Sequence, residues 1–538
     1  MKRVNGKQQN SVDFLIIGAG PAGLGAAIEF AARGGSVLIA DENEQPGGQL
    51  AKQIHKFFGS SSHFAGTRGF SIGEKLITEA LDSGVEIATG SRVLGLLRDG
   101  TVPLSDGQRM TGIRAKRILI AAGGKENALA FPGWTLPGVM TAGAAQTFCN
   151  IHRILPAERP VMVGSGNVGL IVSYQLLQAG AGMQGIVEIQ DFIGGYEVHA
   201  AKIRRARVPF FMKTRISRAF GSTSVEAVEL ENISTGEHTK IETDGVFLSV
   251  GLTPRTELPS LFGCRLLYEP ALGGFLPCHD SNMRTSVPRV FIAGDAAGIE
   301  EANTALDEGR LAGVAAAEDC GYIEAAEART LKTEIQQRLT GLRSGIHSLW
   351  RLEAKARITG TATPHVPGLS AGAAAAAVCG DVETVDFSSP GYSRERLQRG
   401  FVPLINCPQP IPCNPCVDVC PAGAISMGGV CDKPVLDTEK CTGCMKCISI
   451  CPGLAIRTVT VNSDGTGSVA LPYEYLPYPE KGDAVQLTDG SGNSIGNGTV
   501  RRVLTSKAFD KTAVVIVTVP KQLIFSVCGF ITGDRDNG

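Results

Sequence analysis

No stretch of this 538-residue chain reaches the ~18 consecutive apolar residues needed to cross a bilayer, so a membrane span is not expected. Nor is there an excess of either charge. Lys and Arg total 51 against 52 Asp and Glu, a net charge of -1, so the footprint that nucleic acids and anionic membranes require is missing. The 67 glycines show no Gly-X-Y period, which excludes collagen and places the excess in tight turns. No cysteine precedes Cys149, and nine of the fifteen fall between 407 and 451. A cluster of that kind predicts metal ligation and not a disulfide framework. The start, MKRVNGKQQNSVDFLIIGAG, has a basic stretch and an apolar core but no small-residue cleavage pattern, so it reads as structure of a protein in a reducing cytoplasm.

At roughly 100–200 residues per domain the length predicts several domains. With 43% apolar and 19% charged residues the chain is globular. Residues 13–17 (DFLII) form a short apolar run that enters Gly18-Ala19-Gly20-Pro21-Ala22-Gly23, followed by an Ala-rich helical pattern and a second apolar run, 36–40. This is the first half of a Rossmann unit: Gly18 permits the tight turn, Gly20 the approach of backbone to a pyrophosphate, and Gly23 close helix–strand packing. Asp41, 23 residues after Gly18, is placed to accept from ribose hydroxyls, with Glu42 as the fallback. Gly48 precedes Gln49 in a plausible close-approach turn. A second fingerprint, Gly164-Ser165-Gly166-Asn167-Val168-Gly169, follows the run at 161–163. Glu188 and Gln190 compete for its acidic position. No arginine pair follows, which favours NAD over NADP. A third signal, VFIAGDAAG at 290–298, contains Gly294 and Asp295, the latter also readable as a helix cap.

The cysteine block carries the most specific signal. Cys441-x2-Cys444-x2-Cys447-x3-Cys451-Pro452 matches the bacterial ferredoxin run. Cys413-x2-Cys416-x3-Cys420-Pro421 repeats it, with Cys407 further upstream than the usual spacing. In two-cluster ferredoxins the fourth cysteine of each run ligates the other cluster. This predicts Cys407, Cys413, Cys416 and Cys451 on one 4Fe–4S cluster and Cys420, Cys441, Cys444 and Cys447 on the other. Cys431 lies outside both patterns and reads as a buried or loop thiol. Zinc would call for paired knuckles, often with histidine, and no histidine occurs from 407 to 451. The remaining cysteines read as buried apolar thiols.

GAGPAGLGAA, ILIAAGG (with Ala122 and Gly123), GSGNVGL, VFLSVGLTPR and VFIAGDAAG, in this order, resemble the two-dinucleotide-binding-domain flavoproteins over about residues 1–320. The runs DENEQPGGQL and FPGWTLPGVMTAGAAQ resemble more narrowly the α-subunits of sarcosine oxidase, opine oxidase, hydrogen cyanide synthase and dye-linked proline dehydrogenase complexes. The resemblance implies FAD on the first domain, with Asp295 at its ribityl-phosphate side, and NAD(H) or another adenine nucleotide on the second. It also implies a hetero-oligomer in which the partner is a second, substrate-oxidising flavoprotein subunit, with a small electron-carrier protein as a further possible partner. Disulfide reductases of that superfamily carry a cysteine pair against the flavin, and neither usual position has one here.

The expected fold class is α/β. Two Rossmann-like domains (1–150 with 266–320 for FAD, 151–265 for NAD) precede a helical or linker region (321–400). An α+β ferredoxin-like two-cluster domain (401–457) and a small all-β module (458–538) follow. The expected function is an FAD- and iron–sulfur-containing electron-transferring subunit of an amino-acid, imino-acid or amine dehydrogenase. The alternatives are a self-contained NAD(P)H:ferredoxin-type oxidoreductase, resembling the glutamate synthase small subunit, and a non-catalytic assembly subunit. No residue for substrate oxidation is identified. His55 reads either as a proton donor, since the resemblance places 49–64 near the flavin ring, or as part of a polar face; His63 is weaker. Lys125-Glu126 reads as a flavin-side pair or a surface ion pair, Trp134 as a packing anchor between domains, and Lys202–Arg207 as a solvated helix face or a site for a phosphate or an acidic partner.

Overall fold

The computed structural model describes residues 11–345, 348–361 and 385–532; the small-residue run AGAAAAAV and Cys379 lie outside them. The chain divides into two compact units.

The first unit is built on a sheet whose parallel core runs Glu86–Ala88, Val37–Ala40, Ser11–Ile17, Met110–Ile120 and Val290–Ile292. Val37–Ala40, Val290–Ile292 and the C-terminal ends of Ser11–Ile17 and Met110–Ile120 are buried continuous apolar runs, as a sheet covered on both faces requires. Ser11–Ile17, at the centre, delivers the first fingerprint at its C-terminal end. Helix Pro21–Ala31 crosses helix Ala302–Asp319 at close range: a Cβ at Gly309 would lie 1.9 Å from the Ala22 carbonyl oxygen. Two further helices, Ala325–Arg343 and Leu349–Thr359, belong to this unit. The sequence-based boundary at 320 therefore falls short, because Arg343 and Lys355 are buried partners of carboxylates in the preceding segment.

The second unit begins with a five-stranded parallel sheet in the order Phe210–Phe211, Gly185–Val187, Pro160–Val163, Gly245–Leu248, Val139–Thr141. Val139–Thr141 pairs with Gly245–Leu248, so this domain starts upstream of residue 151. The segment Ile54–Arg68 also packs in this unit. The unit also holds a three-stranded antiparallel sheet (Thr214–Phe220, Ala227–Asn232, His238–Glu242) and a seven-stranded antiparallel sheet, ordered Val402–Ile405, Ile456–Val461, Gly467–Tyr473, Ala513–Val519, Ser494–Leu504, Ala484–Thr488, Gly529–Thr532. The first two strands of the larger sheet are neighbours, yet the whole cysteine block lies between them in sequence. The block is thus an insertion in the β module, and a division at 457/458 would cut the strand Ile456–Val461. No described helix is long and apolar enough to cross a membrane.

Candidate functional site

At the first fingerprint Gly18 has φ 109°, and a Cβ there would lie 2.3 Å from the Ala121 carbonyl oxygen, beside Ala122 and Gly123. Gly23 would meet the Gly18 oxygen at 1.9 Å. Gly20 differs: a Cβ would meet nothing within 4 Å. Packing explains Gly18 and Gly23. Open space at Gly20, on the N-cap of a helix whose first turn has no acidic residue and no side-chain cap, suits a phosphate-bearing ligand. The residues therefore fit a dinucleotide, and Pro21 and Ala22 open the helix beneath it. Asp41 is buried and held by the fingerprint itself, accepting from the Ala19 N–H (2.6 Å) and from the Asn43 N–H and amide (both 2.8 Å). Glu42, the fallback, turns away to Arg255 (2.8 Å) and Arg92 (3.3 Å), which hold its carboxyl below the ordinary range. Gly48 seats on Gly20, 2.8 Å from its Cα if a Cβ were added, and Gln49 beside it is exposed.

The strand Val290–Ile292 ends in the turn Gly294–Ala297, which places Asp295. Asp295 is not the cap of the following helix, a position taken by Glu301. Burial, with Glu308, Glu300 and Glu301 nearby, pushes its carboxyl up to about 7. A network that no sequence motif announces holds this turn. Gly294 N–H donates to Glu308 Oε2 (3.0 Å), whose other oxygen accepts from Arg343 (2.6 Å) and Lys355 (2.7 Å). Lys355 also donates to the Ala297 carbonyl (2.9 Å), and Arg343 clamps Glu300 through two nitrogens. Burial alone would raise the Glu308 carboxyl, but Lys355 and Arg343 hold it low. Both cations lie more than 40 positions along the chain from the turn they hold.

The second fingerprint repeats the first. Gly164 (φ 101°) would bring a Cβ 2.1 Å from the Ser249 oxygen, Gly169 would meet the Gly164 oxygen at 2.3 Å, and Gly166 meets nothing within 4 Å. Glu188 is the acidic partner: it accepts from Ser165 N–H (2.9 Å), Ser165 Oγ (2.6 Å) and Gln190 N–H (2.9 Å). Gln190 contributes only its backbone. Asn167 Oδ1 accepts from Tyr196 N–H (2.8 Å). As Gly47 N–H donates to the Ala19 carbonyl, Gly195 N–H donates to that of Ser165. In both sites a Gly–Gly pair follows the acid at the same spacing, Asp41 to Gly47-Gly48 and Glu188 to Gly194-Gly195, a repeat that sequence reasoning missed although the spacing carries it.

The two cysteine runs are also copies. Helices Pro415–Asp418 and Lys446–Ile450 each precede a Cys-Pro turn. Ala424 N–H then donates to Cys420 Sγ (3.2 Å) and Ala455 N–H to Cys451 Sγ (3.4 Å). Cys420, Cys441, Cys444 and Cys447 line one cavity together. Cys407, Cys413 and Cys451 share an apolar cluster with Phe58, Tyr196, Val198, Ile411 and Ala455. Burial, then the charge of Cys451 and neighbouring thiols, pushes Cys407 and Cys416 up to about 12 and Cys413 well above its usual value. Such thiols need a strong cation to ionise, and an iron–sulfur core supplies one, so the donor set fits a cluster. No described cysteine is in a disulfide. Among the described residues no three His, Cys, Asp or Glu side chains gather as ligands of a single ion. Cys431 is buried outside both groups.

The other candidates are accounted for locally. His55 is enclosed, stacked on Phe57 (5.0 Å), and pushed down to about 3 by burial and then by Lys202 and Arg68, so its imidazole is neutral. His63 closes a turn with Ser60 (2.9 Å). Lys125 forms an exposed pair with Glu257 (2.9 Å), and Glu126 accepts from Thr141 (2.6 Å) and Gly143 (2.7 Å). Trp134 is 43% exposed. The Lys202–Arg207 stretch is mixed: Lys202 is buried and donates to the Pro452 carbonyl (2.6 Å), while Arg207 is exposed and donates to that of Gly492 (3.0 Å).

Residues 12–309 match the model of the pyridine nucleotide-disulphide oxidoreductase family, and residues 411–455 that of a 4Fe–4S dicluster domain. The second match contains seven of the eight cysteines assigned above; Cys407 lies just before it. The chain is 32% identical over 324 residues to an opine oxidase subunit of Rhizobium meliloti, covering 56% of this chain and 69% of that one. It is 27% identical over 324 residues to the HcnB subunit of hydrogen cyanide synthase of Pseudomonas aeruginosa, covering 55% and 69%. Among solved structures it resembles a thioredoxin reductase of T. acidophilum at 25% identity and TM-score 0.50, covering 58% of this chain and 99% of that one.

Proposed function

We propose that this chain, which belongs to the pyridine nucleotide-disulphide oxidoreductase family, is the electron-transferring subunit of an amino-acid, imino-acid or amine dehydrogenase complex. It is a flavin and iron–sulfur oxidoreductase. A bound flavin exchanges electrons in pairs or singly, and each iron–sulfur cluster carries one at a time. The chain's own part is to hold these groups. The helix at Gly20 offers N–H groups to the FAD pyrophosphate, Asp41 accepts from a ribose, and Asp295 stands in the turn after strand Val290–Ile292. At the second site Glu188 would accept from an unmodified ribose and repel a 2′-phosphate, which favours NAD(H) or another adenine nucleotide over NADP. Cys407, Cys413, Cys416 and Cys451 take one cluster; Cys420, Cys441, Cys444 and Cys447 take the other.

The observation that carries this reading is the open space at Gly20 and Gly166 in a chain where four thiols line one cavity and three more share an apolar cluster. Nothing in the chain is assigned to substrate oxidation, which supports a partner flavoprotein subunit in a hetero-oligomer, in a compartment where thiols stay reduced. The test is anaerobic purification from the host with whatever co-elutes, followed by visible and EPR spectra on adding NADH or, separately, amines. Bleaching by an amine only when a second flavoprotein is present is the expected result. Bleaching by NADH with no partner would replace this reading with a self-contained NADH:ferredoxin-type oxidoreductase, and a preparation without iron would overturn both.

A further inference from the structure

Two ammonium groups are buried on either side of Cys451, from segments outside the cysteine block. Lys56, on the segment Ile54–Arg68, is 3% exposed and donates to the carbonyls of Ser449 and Phe509 (2.9 Å to the latter) and to Thr512 Oγ1 (3.0 Å). Lys202, on helix Glu197–Arg205, is 4% exposed, donates to the Pro452 carbonyl (2.6 Å) and lies over the Tyr174 ring (5.1 Å). Their acceptors are neutral. Arg68 is the third cation here, bound to Glu474 (3.2 Å) and to Asp510 (3.3 Å). Glu474 is the buried carboxylate of the group, shared with Thr512 and Gln178, while Asp510 is 40% exposed. Three buried cations thus face one buried carboxylate and one part-exposed one.

Buried charge is rarely left uncompensated, because neither water nor a partner then repays its lost hydration. The excess is positive and surrounds the backbone on both sides of one cluster ligand. A cluster held by four thiolates is net negative, and more so after reduction, which adds one electron and no proton or bond. We propose that Lys56 and Lys202 are positioning cations for the cluster of Cys407, Cys413, Cys416 and Cys451. Their charge compensates that cluster and favours its reduced form. The other four cysteines have different cations: Lys446 lines their cavity, and Arg396, 6% exposed, donates to the carbonyls of Thr438 (2.6 Å) and Cys441 (2.9 Å).

This rests on the two-cluster reading above, and the experiment separates the two. The full chain, with any co-purifying subunit, is titrated anaerobically with dithionite while each cluster is followed by EPR; Cys407→Ser assigns the signals. Lys202→Met is expected to disfavour reduction of the first cluster by at least tenfold, 59 mV for one electron, with a smaller shift of the second. Lys202→Arg should restore it. Glu474→Gln, which removes the opposing charge, should shift the same cluster the other way, and it keeps the test available if Lys202→Met does not fold. Unchanged potentials, or equal shifts of both clusters, overturn the proposal. Wild-type chain lacking iron and sulfide overturns the two-cluster reading itself.

Discussion

Lys355→Met removes one cation from the network that holds the turn carrying Asp295. In the wild type, Lys355 and Arg343 face Glu300 and Glu308, so buried charge is balanced. After the substitution two carboxylates share Arg343, and the Ala297 carbonyl loses its 2.9 Å donor. Breaking a buried ion group by deleting one partner costs about 3–5 kcal/mol, and an orphaned carbonyl adds about 1 kcal/mol where water does not reach it. Against a typical total of about 5–15 kcal/mol this is a large fraction. Unfolding of the first unit is to be followed by hydrogen exchange of its parallel strands in urea, since a chain of two units does not unfold in one step. The double variant Glu308→Gln/Lys355→Met removes the excess negative charge together with the cation. It should recover about 1.5 kcal/mol or more, as contacting groups couple. A change below about 1 kcal/mol for Lys355→Met, or additive losses in the double variant, would refute the assigned role of the network.

Asp295 has its carboxyl raised, so its ionisation opposes folding. The contribution of Asp295 to apoprotein stability should be fully present below the unfolded carboxylate range and fall by up to about 4 kcal/mol as pH rises to about 7 and above; Asp295→Asn should remove that component from the pH dependence of thermal melts, and curves parallel to wild type would contradict it. Gly20→Ala and Gly166→Ala should fold normally but weaken flavin and adenine-nucleotide binding respectively. Gly23→Ala and Gly169→Ala should instead destabilise their domains by several kcal/mol, because the new Cβ meets backbone; melting points and flavin content distinguish these cases. Cys407→Ser should cost one of two clusters in iron analysis and EPR, while Cys431→Ser should retain both.

The parts legible in the sequence are those compressed into short stretches. A fingerprint places turn, helix start and acid within about 25 residues, and its last glycine is demanded by the oxygen of its first, five positions earlier. The cysteine runs are likewise local, because three ligands of one cluster come from a single loop. Where a choice was left between neighbours, a hydrogen bond decided it: Asp41 and Glu188 are tied to the fingerprint backbone, while Glu42 pairs with arginines.

Other features could be decided only by the fold. The cysteine block sits between paired strands Val402–Ile405 and Ile456–Val461, a partnership that spacing does not encode. The Lys202 stretch resembles a solvated helix face in sequence, because its charge is visible there and its burial is not. Lys56, Lys202 and Glu474 are far apart along the chain, as are Gly294 and Lys355. Local stereochemistry and metal-ligand spacing act over a few bonds and so leave a signature in order and spacing. Burial and electrostatic compensation act through space, and only the folded chain determines which charges share one low-dielectric neighbourhood.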